Sequence, residues 1–120
     1  MEKFIQTIPT EEAENIVKAD FRQWQQKRLT GEVDPYGSAP RLLKVGELGI
    51  YDIVVRAECK KVPNYQLMRF DEVWEFDGGY DCGGSCDRRG GFPSVQAVID
   101  YGVSRANAKY IEFEKQMQKK

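Results

Sequence analysis

The sequence predicts an α+β fold, with a small antiparallel sheet of about three strands packed by an N-terminal helix and a long C-terminal helix in two layers. Three observations predict it. Apolar residues recur at three- and four-residue steps near both ends of the chain, the period becomes two between Ile50 and Cys59, and the intervening stretches carry proline and glycine.

Thr10 followed by Glu11 and Glu12 reads as a helix start, a capping hydroxyl ahead of acidic residues that favour the positive end of the dipole. Ala13, Ile16, Val17, Phe21, Trp24 and Arg28 then form one stripe, so the spacing predicts an amphipathic helix over 11–29 that Gly31 stops. Glu32 to Pro40 is a turn-rich connector. Arg41 to Val45 forms a short strand and Gly46 to Gly49 a turn or bulge.

From Ile50 to Cys59, Tyr51, Ile53, Val55, Ala57 and Cys59 share one face, as in a half-buried antiparallel strand. Lys60 to Asn64 reads as a turn, with Pro63 at the strand boundary because it lacks a ladder donor. Tyr65 to Phe76 completes a hairpin. Its alternation is imperfect, which a bulge near Asp71 or burial on both faces would explain; Leu67, Phe70 and Val73/Trp74 also allow a helical reading.

Between Gly78 and Gly91 six of fourteen residues are glycine, and the stretch also holds Cys82, Cys86, Arg88 and Arg89. It reads as a long surface loop, the kind of segment that carries function. Pro93 and Ser94 start a second helix whose stripe runs through Val95, Val98, Ile99, Gly102, Ala106, Tyr110, Phe113 and Met117. Gly102 inside it points to close packing against the sheet or the first helix.

Length and charge bound the function. At 120 residues the chain is expected to form one domain over 1–120. Its 18 basic and 19 acidic residues give a net charge of −1, so neither duplex nucleic acid nor an anionic membrane is an expected partner. The short basic pairs Lys60-Lys61, Arg88-Arg89 and Lys119-Lys120 do not alter that. The first nine residues contain no apolar signal-peptide core, and three cysteines fit reduced thiols in a cytoplasmic protein.

These residues bear on several chemistries. Structural zinc needs four ligands, and Cys59, Cys82 and Cys86 without any histidine supply too few; no metal and no cofactor is expected. Absence of histidine also removes Ser–His and Cys–His catalysis. Gly79-x4-Gly84 is followed by Ser85, so the lysine of a phosphate-binding P-loop is missing, although backbone N–H groups with Arg88 and Arg89 could still hold a phosphate or nucleotide ligand. Glu58-Cys59-Lys60 resembles the Glu-x-Lys half of the PD-(D/E)xK nuclease motif, which implies a metal-dependent nuclease. The resemblance covers three residues, and no partner aspartate stands in the expected place: Asp34 precedes a proline in a connector and Asp52 shares the strand of Glu58.

The reading that remains is a non-enzymatic protein-binding module, of the size of an inhibitor or regulator of a host enzyme such as a mobile element or phage encodes. Tyr80, Asp81, Asp87, Arg88, Arg89 and Phe92 are the expected contact residues, with Tyr36 in the earlier connector. A homodimer through the C-terminal stripe is compatible with this reading. A phosphate-ligand module using the same loop and a metal-dependent nuclease are the alternatives.

Overall fold

A computed structural model describes residues 3–32 and 39–118. Tyr36, the Asp34-Pro35 turn and Lys119-Lys120 lie outside the described residues. The chain runs β1 (Ile5–Gln6), α1 (Thr10–Leu29), β2 (Leu43–Leu48), β3 (Tyr51–Asn64), β4 (Arg69–Cys82), β5 (Ser85–Phe92) and α2 (Val95–Gln118). The strands form one antiparallel sheet in chain order. The α+β two-layer class is as expected. The strand count is not: five strands replace about three.

Both helices arise where the stripes place them. Ala13, Val17 and Phe21 of α1 and Val95, Val98, Ile99 and Ala106 of α2 are buried against Ile53, Val55, Ala57, Phe76 and Tyr80, which register places on one face of the sheet. Ser94 caps α2, its Oγ accepting the Ala97 N–H at 3.1 Å. Thr10 departs from its expected role. It is the first helical residue, and its hydroxyl donates to Gln96 Oε1 at 2.8 Å, so it ties the start of α1 to the first turn of α2 instead of capping its own helix.

Three strand boundaries differ from expectation. β2 runs on through Gly46–Leu48, past a register shift between Lys44 and Gly46, so its turn falls at Gly49-Ile50. β3 continues through Lys60–Asn64, and Pro63 sits inside the ladder opposite Phe70. The reversal falls instead at Tyr65–Met68. From Arg69 onward the β3–β4 register is unbroken, so there is no bulge at Asp71, and alternation is regular: Phe70, Glu72, Trp74 and Phe76 face the helix side while Asp71, Val73, Glu75 and Asp77 face outward. Tyr65–Met68 spoiled the pattern because they belong to a turn.

The stretch from Gly78 to Gly91 is not a loop. It is the end of β4, the two-residue turn Gly83-Gly84, and most of β5. Its glycines permit close backbone packing. A Cβ on Gly102 would lie 2.7 Å from the Gly79 carbonyl oxygen, and one on Gly79 would lie 2.0 Å from that of Asp87. Thus α2 rests directly on the β4 backbone through a glycine–glycine contact.

Candidate functional site

Strands of average twist rise about 3.3 Å per residue, so β3 and β4 form a hairpin of roughly 45 Å. It extends well past the strands on either side. β2 pairs with β3 only from Tyr51 to Val55, and β5 pairs with β4 only from Phe76 to Cys82. Cys59–Asn64 and Arg69–Glu75 therefore form a two-stranded arm, and the molecule is 62 Å long but only 34 by 23 Å across.

Helix α1 braces the base of this arm. The Phe21 ring meets Trp74 edge-on at 5.7 Å, Lys18 and Arg22 lie over the Trp74 ring at 5.4 and 5.1 Å, and Arg22 Nη2 donates to Glu72 Oε2 at 3.1 Å. Burial beside Trp74 pushes the Cys59 thiol up from its ordinary value, so it stays protonated at neutral pH.

Beyond Glu72 the apolar face continues without a cover. Tyr65, Leu67, Met68 and Phe70 are exposed, and Val62 and Val73 flank them on the outer face. Pro63, Asn64, Tyr65, Met68, Arg69 and Phe70 line a shallow apolar groove of about 230 Å³.

The tip is held in shape by its own side chains. Asn64 Oδ1 accepts the Leu67 N–H at 3.1 Å, while Asn64 Nδ2 and Arg69 Nε donate to the two oxygens of Asp71 at 2.8 and 2.9 Å. Met68 closes the turn with φ at 51°, the only positive φ at a non-glycine among the described residues. A side chain in that conformation costs about 1–2 kcal/mol. Met68 is also 88% exposed. A large apolar side chain is thus kept where both backbone strain and water oppose it.

The expected contact residues divide. Tyr80 is a correction: it is 1% exposed, packed edge-on against Tyr51 at 5.0 Å in the core, and cannot meet a partner. Asp87, Arg89 and Phe92 are turned toward α2. Asp87 accepts the Tyr101 hydroxyl and the Arg105 Nε–H, Arg89 lies over the Tyr101 ring at 5.4 Å, and Phe92 packs on the same ring at 5.3 Å. The Tyr101 hydrogen bond and then Arg105 hold the Asp87 carboxyl below the usual carboxylate value. Asp81 and Arg88 remain exposed on the outer face.

Arg88 and Arg89 line a shallow cleft of about 370 Å³ with Leu42, Arg56 and Asp77, where Arg56 Nε donates to both Asp77 oxygens at 2.8 and 2.9 Å. Arg56 was not singled out by sequence; its place opposite Asp77 needs the β3–β4 register.

The cysteines and the Glu-x-Lys triplet assemble no centre. Cys82 pairs with Ser85 and Cys86 with Asp81, so the two thiols stand on opposite faces of their hairpin, and all three cysteines are free. Lys60 is paired with Glu75 at 3.1 Å. Among the described residues no three His, Cys, Asp or Glu side chains converge on a point that could hold a metal ion, and no helix is long and apolar enough to cross a membrane.

The tip is hidden in the sequence because Tyr65-Gln66-Leu67-Met68 reads as the start of a strand. A signal is present: Asn64, just ahead of these residues, is a type whose side chain closes turns by bonding nearby backbone. Comparison with protein-family models, curated proteins and solved structures returns no match for this chain.

Proposed function

We propose that this chain is a small protein-binding module that engages its partner with the projecting end of the β3–β4 hairpin. The observation that carries the reading is Met68, strained and exposed at once, at the centre of an apolar tip. Strain retained in an ordered turn is characteristic of contact sites. A tip preorganised by Asn64, Arg69 and Asp71 loses little freedom on binding, which favours affinity. Tyrosine, methionine and phenylalanine are also residue types enriched where proteins meet. A narrow apolar projection fits a cleft on the partner, and blocking such a cleft is how a chain of this size acts as an inhibitor or regulator.

The test is affinity capture from the native host with quantitative mass spectrometry. Tyr65→Ser/Met68→Ser/Phe70→Ser is expected to lower partner recovery by about tenfold or more while far-UV circular dichroism and melting stay close to wild type. Arg88→Ala/Arg89→Ala is expected to leave recovery intact. Equal recovery by the tip variant, with loss in the arginine variant, returns the contact surface to the β4–β5 hairpin and refutes the proposal.

A further inference from the structure

Among the described residues the arm leaves two strand edges without a lateral neighbour, one on β3 and one on β4. A free edge offers N–H and C=O groups to any strand that comes alongside, and proteins that must stay apart block such edges with lysine and proline. The β3 edge is blocked in this way by Lys60, Lys61 and Pro63. The β4 edge, Arg69–Glu75, carries neither lysine nor proline, and its charged side chains, Arg69, Asp71, Glu72 and Glu75, are of both signs and each is paired within the chain.

We infer that two copies of this chain form a two-fold dimer by pairing their Arg69–Glu75 edges antiparallel, so that the sheets join across the arms. The inference rests on the hairpin as the interaction surface and names a second copy as an occupant. Self-complementarity argues for that occupant. Pairing centred on Glu72 sets Arg69 opposite the partner's Glu75 and Phe70 opposite the partner's Trp74, and symmetry makes each pair twice. Arg69 and Glu75 both stand on the outer face, and Phe70 and Trp74 both on the helix side, so each pair meets on a single face.

One like-charged contact results, Glu72 against the partner's Glu72, and in each copy Arg22 at 3.1 Å already neutralises that carboxylate. Asp71, which falls opposite the partner's Val73, is likewise occupied by Asn64 and Arg69. Moving the centre to Val73 sets Asp71 against the partner's Glu75 and forfeits the charge match, so the Glu72 register is selected. It also covers Phe70, which is 67% exposed in the single chain.

Charge exchange tests this. Sedimentation velocity across a concentration series on the full chain is expected to show a reversible dimer. Arg69→Glu and Glu75→Arg singly each raise its dissociation constant about tenfold or more, because each breaks two symmetric pairs. The double variant restores dimerisation. Within one chain Arg69 pairs with Asp71 at 2.9 Å and Glu75 with Lys60 at 3.1 Å, and both contacts stay broken in the double variant, so recovery reads the contact between copies alone. A chain that stays monomeric to about 1 mM, or single variants that dimerise like wild type, overturns the inference. A monomer that still captures a different protein through Tyr65, Met68 and Phe70 overturns it as well, while leaving the protein-binding reading intact.

Discussion

The two hairpins that share β4 are built for opposite ends. In β4–β5 the two strands lie so close that Gly79 has no room for a methyl group beside Asp87, α2 lies so close to Gly79 that Gly102 has none either, and the side chains of Asp87, Arg89 and Phe92 all turn to Tyr101 or Arg105. In β3–β4 the far half touches neither neighbouring strand, and large apolar side chains face water. One half of β4 is therefore packed on both sides and the other projects with its apolar side chains exposed. The difference shows that glycine content is a poor guide to irregular structure: here it marks a paired strand end with close backbone contacts at Gly78 and Gly79.

That comparison can be broken most decisively at the packed end. Gly79→Ala is expected to destabilise the chain by about 3 kcal/mol, because the added carbon meets the Asp87 carbonyl and nothing there can yield without moving backbone. Gly102→Ala costs less, about 1–2 kcal/mol, since alanine's helix propensity offsets part of the clash with Gly79. Urea unfolding monitored by tryptophan fluorescence measures both. A change below about 0.5 kcal/mol in Gly79→Ala would mean that the hairpin is looser than described.

Asp87→Asn comes next, at about 1 kcal/mol near neutral pH, through a weakened bond to Tyr101 and loss of the Arg105 pair. Its pH dependence has a definite sign. The folded Asp87 carboxyl sits below its ordinary value of 3.8, so its stabilisation is complete above that value and disappears as pH falls through the lower, folded one. Acid titration of stability should thus show an acidic limb in wild type that is shallower in Asp87→Asn. Identical limbs in the two proteins would remove Asp87 from the account.

The smallest expected effect lies at the tip. Met68→Gly relieves the left-handed turn and is expected to raise stability by about 0.5 kcal/mol, the gain being reduced by glycine's greater freedom when unfolded. The same substitution should weaken partner capture, because the exposed thioether arm is gone. Loss of stability instead would show that Met68 packs within its own chain.

How much of this was legible follows from which residues carry redundant signals. The stripe from Ala13 to Phe21 and that from Val95 to Ala106 place both helices within a residue or two of where they stand, because several apolar positions agree on one period. Tyr51 to Cys59 was readable for the same reason. The arm was not. Lys60, Lys61 and Pro63 suit an exposed edge but also suit a turn, and only a long-range register distinguishes the two. The β4–β5 pair was hidden by glycines, of which Gly78 and Gly79 serve close approach to Val54, Asp87 and α2, neighbours that only the folded register brings together. Of the expected contact residues, Tyr80 has the chemistry of an anchor, yet alternation from Trp74 through Phe76 and Gly78 carries it to the core side.

The sulfur of Met68 gives the tip a chemical vulnerability of its own. Peroxide would reach this uncovered thioether readily and convert it to a polar sulfoxide, without disturbing any of the side chains that pack α1 and α2 on the sheet. Mild oxidation should therefore silence the tip in an otherwise folded protein, and methionine sulfoxide reductase should bring it back.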